Sequence, residues 1–283
     1  MIFRKPGTLL AIIIVSILVV LGIRYKQVKK TETVLAKDNR VIQTREEMKE
    51  PETFFYGAVV LDDFGYSDKN LSLLKELNLP VTMAVLPRLR YSSEVCEFAL
   101  EHGFEVILHL PMQPENEYAV LEKDTISGDL DEAEVKRIFE QDFNSIINAK
   151  GLSNHMGSKA TRDEKLMAIV FDQIKIRDAY FFDSFTSNRS VCAEIARDKG
   201  VPYLRRDIFL DNSRDKAEIK KRLKDFKELV FSRGNAIAIG HDRAETIEVL
   251  KEMIPEMKQN GIRFVLLGDL MKLKTNSSEK DNT

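Results

Sequence analysis

Short apolar runs alternate with amphipathic stretches from residue 54 to about residue 272. Ala58-Val-Val-Leu61 is the first run, and Asp62-Asp63-Phe-Gly65 follows it. A helical stretch then extends to about Leu77. Val81-Thr-Met-Ala-Val-Leu86 is the second strand, stopped at Pro87, and Glu105-Val-Ile-Leu-His-Leu110 the third, stopped by Pro111. Between them a helix runs from about Ser92 to Glu101 and closes at Gly103. After a longer loop, a helix opens at Asp131 with Val135, Ile138, Phe139, Phe143, Ile146 and Ile147 on one face. Asn154-His-Met-Gly-Ser158 marks a weak fourth strand. Thr161-Arg-Asp-Glu164 has the spacing of a capping box, in which Thr caps an amide and Glu reaches back. Strand Ala179-Tyr-Phe-Phe-Asp183, helix 189–199, strand 203–209, helix 215–233, strand 236–239, helix 244–259 and strand 262–267 complete the series.

Apolar strands separated by helices indicate a parallel sheet covered on both faces. Seven or eight such units predict an α/β fold, a distorted barrel of the (β/α)7 type related to the TIM barrel. A doubly wound open sheet is the alternative. No glycine-rich dinucleotide fingerprint or phosphate loop supports it.

The N-terminus breaks the pattern. Leu9 to Ile23 is apolar except for Ser16 and Gly22, with Arg4 and Lys5 before it and Arg24, Lys26, Lys29 and Lys30 after it. With Gly7 and Thr8, the uncharged run as a helix reaches roughly 25 Å, near the lower limit for a membrane span. It has no polar face and no small-residue cleavage site, so an uncleaved anchor over 1–23 is expected, with a cleaved signal peptide as the alternative. Residues 24–53 read as a charged linker and 273–283 as a disordered tail. The folded domain is expected over 54–272, outside the cytoplasm.

The chain has 283 residues, 43 Lys+Arg against 45 Asp+Glu, and 43% hydrophobic residues. That balance excludes a disordered chain and a nucleic-acid binder held by basic charge. Two cysteines, Cys96 and Cys192, fall on separate predicted helices and are expected to be buried free thiols. Tyr180, Phe181 and Phe182 read as barrel core.

Polar residues collect where such a barrel keeps its chemistry, at the C-terminal ends of the strands. Asp62 and Asp63 follow the first strand, and His109 ends the third. His155 lies by the fourth, Asp183 ends the fifth and His241 the penultimate one. Of the 4 histidines, only His102, at a helix end, stands apart. Neutral imidazoles with carboxylates at one mouth suit a borderline divalent metal with an open position for water. One feature opposes this grouping. Adjacent strand residues point to opposite faces, so Asp62 and Asp63 share a site only if the strand bends there. Gly65 offers a turn.

Six motifs follow in order: Asp62-Asp-Phe-Gly-Tyr66, Glu105-Val-Ile-Leu-His-Leu-Pro-Met112, Asn154-His-Met-Gly-Ser158, Phe182-Asp-Ser184 with Thr186-Ser187, Phe209-Leu-Asp211 and Ile237-Ala-Ile-Gly-His241. Together they resemble the divergent polysaccharide deacetylase family, a branch of the polysaccharide deacetylases, over roughly 56–270. The resemblance implies a catalytic base at Asp62, metal ligands at Asp63 and His109, and a catalytic acid at His241 oriented by Asp183. The parent group's second metal histidine falls at Gln113, and glutamine is a poor zinc ligand. His155 is therefore expected as the third ligand. The parent's arginine motif has no clear counterpart. Asn154, Ser158 and Asp207 are expected substrate contacts.

The implied activity is removal of acetyl groups from a cell-envelope or peptidoglycan-like glycan, with zinc or another divalent metal as cofactor. The second reading is a non-catalytic barrel that binds envelope glycan or protein and retains a structural metal. The third is a glycosidase using Asp62 and Asp183, which would leave the histidines without a role.

Overall fold

The computed structural model describes residues 54–280, together with 26, 27 and 29. The anchor expected over 1–23 lies outside the described residues, as does nearly all of the linker. Among the described residues no helix is long and apolar enough to cross a membrane. The chain divides into two compact units, Met1–Glu52 and Thr53–Thr283, and every candidate site residue lies in the second.

Strands and helices alternate along that unit. They are β1 (Phe55–Phe64), α1 (Leu71–Lys75), β2 (Thr82–Val85), α2 (Ser92–Glu101), β3 (Glu105–Met112), α3 (Glu132–Ser145), β4 (Gly151–Met156) and α4 (Glu164–Ile176). Then come β5 (Tyr180–Asp183), α5 (Cys192–Lys199), β6 (Tyr203–Arg205), β7 (Ile208–Phe209), α6 (Lys216–Arg233), β8 (Asn235–His241), α7 (Ala244–Gln259), β9 (Ile262–Phe264) and α8 (Leu267–Lys280). The strands pair in the order β6-β5-β4-β3-β2-β1-β8-β7, and β9 adds to β1. Every pairing is parallel. β6 and β7, consecutive in the chain, stand at opposite ends of this order. The sheet is thus a curled half-barrel, consistent with the expected (β/α) barrel.

Two apolar cores follow from the strands' two-residue period. The inner face carries Ala58, Val60, Ala84, Ile107, Phe182, Ile237 and Ile239. The outer face carries Val59, Leu61, Met83, Leu108 and Phe181, against the inward stripes of the helices. Leu267 and Leu270 of α8 join the inner set, so the last helix fills the barrel from the end where the strands begin. Buried Glu105 fixes that helix. Its Oε2 accepts hydrogen bonds from the Thr82 hydroxyl at 2.8 Å and the Gly268 amide at 3.1 Å, and the Leu267 amide donates to the Thr82 hydroxyl at 3.0 Å. A carboxylate also suits the positive end of a helix. Glu105→Ala should therefore lower the free energy of unfolding by about 1–3 kcal/mol. A urea midpoint equal to that of the wild type would rule out this role.

Several local expectations change. Pro111 does not end β3 but sits inside it, opposite His155, and its carbonyl accepts from the Ile126 amide. Thr161 is not the cap of α4. Asp163 is, accepting from the Leu166 amide, while the Thr161 hydroxyl donates to the Gly157 carbonyl. The expected strand 203–209 breaks at Arg206 and Asp207 into β6 and β7. The residues expected as a tail instead continue α8 to Lys280. Ile147, assigned to the buried face of α3, is exposed. Cys96 and Cys192 are free and buried, as expected.

Candidate active site

The strands' C-terminal ends carry unusual backbone. Asp63 (φ 60°), Arg88 (φ 57°), Met156 (φ 54°) and Phe185 (φ 50°) are left-handed without being glycine, at the ends of β1, β2, β4 and β5. Bulky residues rarely adopt this region, and such positions gather at functional sites. At Asp63 the consequence is direct. Asp62 continues the inward alternation of Ala58 and Val60, and strand regularity would turn Asp63 outward. The left-handed residue and a register shift between Leu61 and Phe64 bring it back to the same side. Asp63 itself makes the bend that the sequence suggested for Gly65.

Asp63 is the centre of the cluster. Its Oδ1 lies 2.9 Å from His155 Nδ1 and 3.3 Å from His109 Nε2, and its Oδ2 lies 3.7 Å from His241 Nε2. Asp62 Oδ2 is 3.8 Å from His109 Nε2. His109 faces Ser153 across β3 and β4, and the Ser153 hydroxyl bonds its Nδ1 at 2.7 Å, leaving Nε2 for the site. His241 stands beside Asp62 in the β1–β8 register.

The carboxylate that orients His241 is Asp211, not Asp183. Asp211 Oδ1 holds His241 Nδ1 at 2.8 Å, and its Oδ2 accepts from the His241 amide and the Thr246 hydroxyl. Asp183 has the parity of Phe181, the outer face. Its oxygens accept from the Phe185 amide, the Ser190 hydroxyl and the Tyr203 hydroxyl. Two expected substrate contacts are also braces. Asn154 is fully buried, accepting from the Ser184 amide and donating to the Met156 carbonyl. Asp207 accepts from the Ile237 amide and Arg233, at the opposite end of β8 from His241. Ser158 is half-buried and accepts from the Glu115 amide. Sequence reasoning assigned no role to Asp211, Ser153 or Thr246, although Asp211 closes one of the six motifs.

The electrostatics separate the groups. Burial, followed by the Asp63 charge, raises the pKa of Asp62 well above the usual carboxylate value. Burial acts the same way on Asp63, but its hydrogen bonds to His109 and His155 outweigh it and hold the group far below. Burial pushes His109 down to about 4, so it is neutral. Burial also opposes charge on His241, yet the Asp211 hydrogen bond and the Asp62 charge raise its pKa.

The divergent polysaccharide deacetylase family matches residues 59–271, nearly all of the described unit. The chain belongs to this family. Within it, the uncharacterized protein YibQ of Escherichia coli (strain K12) is 34% identical over 70% of the chain, and the match spans 61% of that relative's length. An uncharacterized protein of Haemophilus influenzae is 32% identical over 76% of each chain. The crystal structure of an uncharacterized protein from Agrobacterium tumefaciens C58 has the same fold, at a TM-score of 0.73 and 21% identity, over 78% of this chain and 91% of that one.

Proposed function

We propose that this divergent polysaccharide deacetylase is a metal-dependent hydrolase that removes N- or O-acetyl groups from a cell-envelope glycan. The convergence of Asp63, His109 and His155 on one point carries this reading. Their ligand atoms lie within 4.8 Å of one another. One carboxylate and two imidazoles, with the Nδ1 of His109 already taken by Ser153, are the donor chemistry of zinc or a similar divalent ion. Bound there, such an ion supplies Lewis acidity toward an acyl oxygen and acidifies water.

The remaining groups handle protons. Asp62, buried and with its pKa raised, serves in this reading as the base beside His109 and Asp63. His241, held by Asp211 and with its pKa raised, presents Nε2 as the acid for the leaving nitrogen or oxygen. Asn154 and Asp183 act one step back by fixing the β4 and β5 ends. Half-exposed Tyr66, three residues past Asp63, offers an apolar face to a sugar ring at the rim. The charge-flanked apolar run over 9–23 supports a location at the membrane.

Acetate release from acetylated glycan oligomers, with metal content measured alongside, tests the proposal. Zinc bound by the wild type, its loss in His155→Ala and turnover by the loaded protein are expected. Metal without turnover on any acetylated glycan would favour the non-catalytic barrel. Absence of metal after zinc loading would end the hydrolase reading.

A further inference from the structure

The metal reading uses only one oxygen of Asp63. The other, Oδ2, faces His241, and here a second set of donors meets. The ligand atoms of Asp62, Asp63 and His241 also lie within 4.8 Å of one another. We propose that these three residues form a second divalent-cation position beside the first, with the Asp63 carboxylate shared between the two.

Three observations beyond the grouping point to a cation. Asp62 is only 4% exposed, and its Oδ1 has no hydrogen-bond partner among the described residues. A buried carboxylate oxygen with unused lone pairs costs free energy unless something satisfies it. His241 has the support of a metal-ligating imidazole. Asp211 fixes Nδ1 and is itself fixed by Thr246 and the His241 amide, so Nε2 is aimed and its lone pair is free when neutral. Finally, two consecutive carboxylates are turned to the same side by the left-handed Asp63. Among the described residues, the nearby arginines are engaged elsewhere: Arg243 contacts Asp211 and Arg206 donates to the Ser184 and Phe185 carbonyls.

The two positions differ in donors. The first has two imidazoles and one carboxylate; the second has two carboxylates and one imidazole. The second is the harder set, suited to Mn(II) as well as zinc and expected to bind zinc more weakly. Filling it would occupy both groups assigned to proton transfer. The second ion is therefore an inhibitory one. This inference rests on the metal reading above through the shared Asp63, and counting ions separates the failure of one from the failure of the other.

The full chain, stripped of metal by a chelator, is titrated with zinc by equilibrium dialysis, alongside Asp62→Asn and His241→Ala. Circular dichroism verifies that the variants fold. Two equivalents are expected in the wild type, the second roughly tenfold weaker, and one in each variant. Acetate release should peak near one equivalent and fall at least about tenfold as the second binds. One equivalent at saturation overturns the second position and leaves the proposed function standing. None overturns both. Two equivalents in all three proteins would put the second ion elsewhere and overturn the assignment. Mn(II)-loaded wild type gives a reading independent of the variants. A spin-coupled pair in the electron paramagnetic resonance spectrum is expected, and isolated ions alone would overturn the shared carboxylate.

Discussion

Asp211→Asn is expected to reduce acetate release by roughly 10²–10⁴-fold with little change in KM, the range lost with a positioned proton donor. The Asp211 carboxylate lies 2.8 Å from His241 Nδ1 and fixes both the ring and its tautomer. Asparagine keeps the volume, but where its amide donates to Nδ1 the ring must stay neutral with its proton on Nε2, a far weaker acid than the imidazolium that the Asp211 carboxylate supports. The pH profile distinguishes this role from a structural one. The pKa of His241 is raised in the native protein, so the protonated acid persists to higher pH and is lost as pH rises through that value. Removing the Asp211 charge lowers the pKa. The alkaline limb of the profile should therefore move to lower pH in the variant. A slower enzyme with an unmoved limb would show that Asp211 only supports the β7–β8 end.

The second large effect concerns the metal. Asp63→Ala is expected to abolish binding altogether, because its carboxylate lies within 4 Å of all three site histidines. Ser153→Ala should be graded rather than absolute. It leaves every ligand in place and removes only the hydroxyl that orients His109, so affinity should fall about 10–100-fold. Competition with a chromophoric chelator measures both. Equal losses in the two variants would mean that Ser153→Ala has disturbed β4 itself, and a Ser153→Thr variant that restores binding would exclude that.

The layout of this site was visible in the sequence to the extent that it follows the two-residue period of the strands. Ala58, Val60 and Asp62 share one face, as do Ile107 with His109 and Ile237, Ile239 with His241. The same rule, applied to β5, separates Asp183 from Phe182 and predicts its outward position. It also puts Asp211 on the face of Phe209. What periodicity could not supply was Asp63, because its inward turn depends on a backbone conformation that the period does not encode. Pro111 departs from the expected strand end for a related reason. In a parallel strand only some amides are needed for pairing, and the remaining polar group of Pro111 finds Ile126 in the following loop. The helix from Leu267 was hidden because its first turn follows an apolar strand directly and its later residues are polar.

The pairing of β1 with β9 and the place of Leu267 and Leu270 in the inner core join the two ends of this unit. During synthesis, the first strand emerges long before the segment that completes its edge and its inner face. Residues 55–57 and the inward side chains of β1 must wait, unpaired on that side, until the chain beyond Phe264 has been made. Contacts of such high sequence separation slow folding and leave an exposed strand edge in the nascent chain. A ribosome stalled before α8 would therefore carry an unfinished barrel, one that needs protection from aggregation until translation ends.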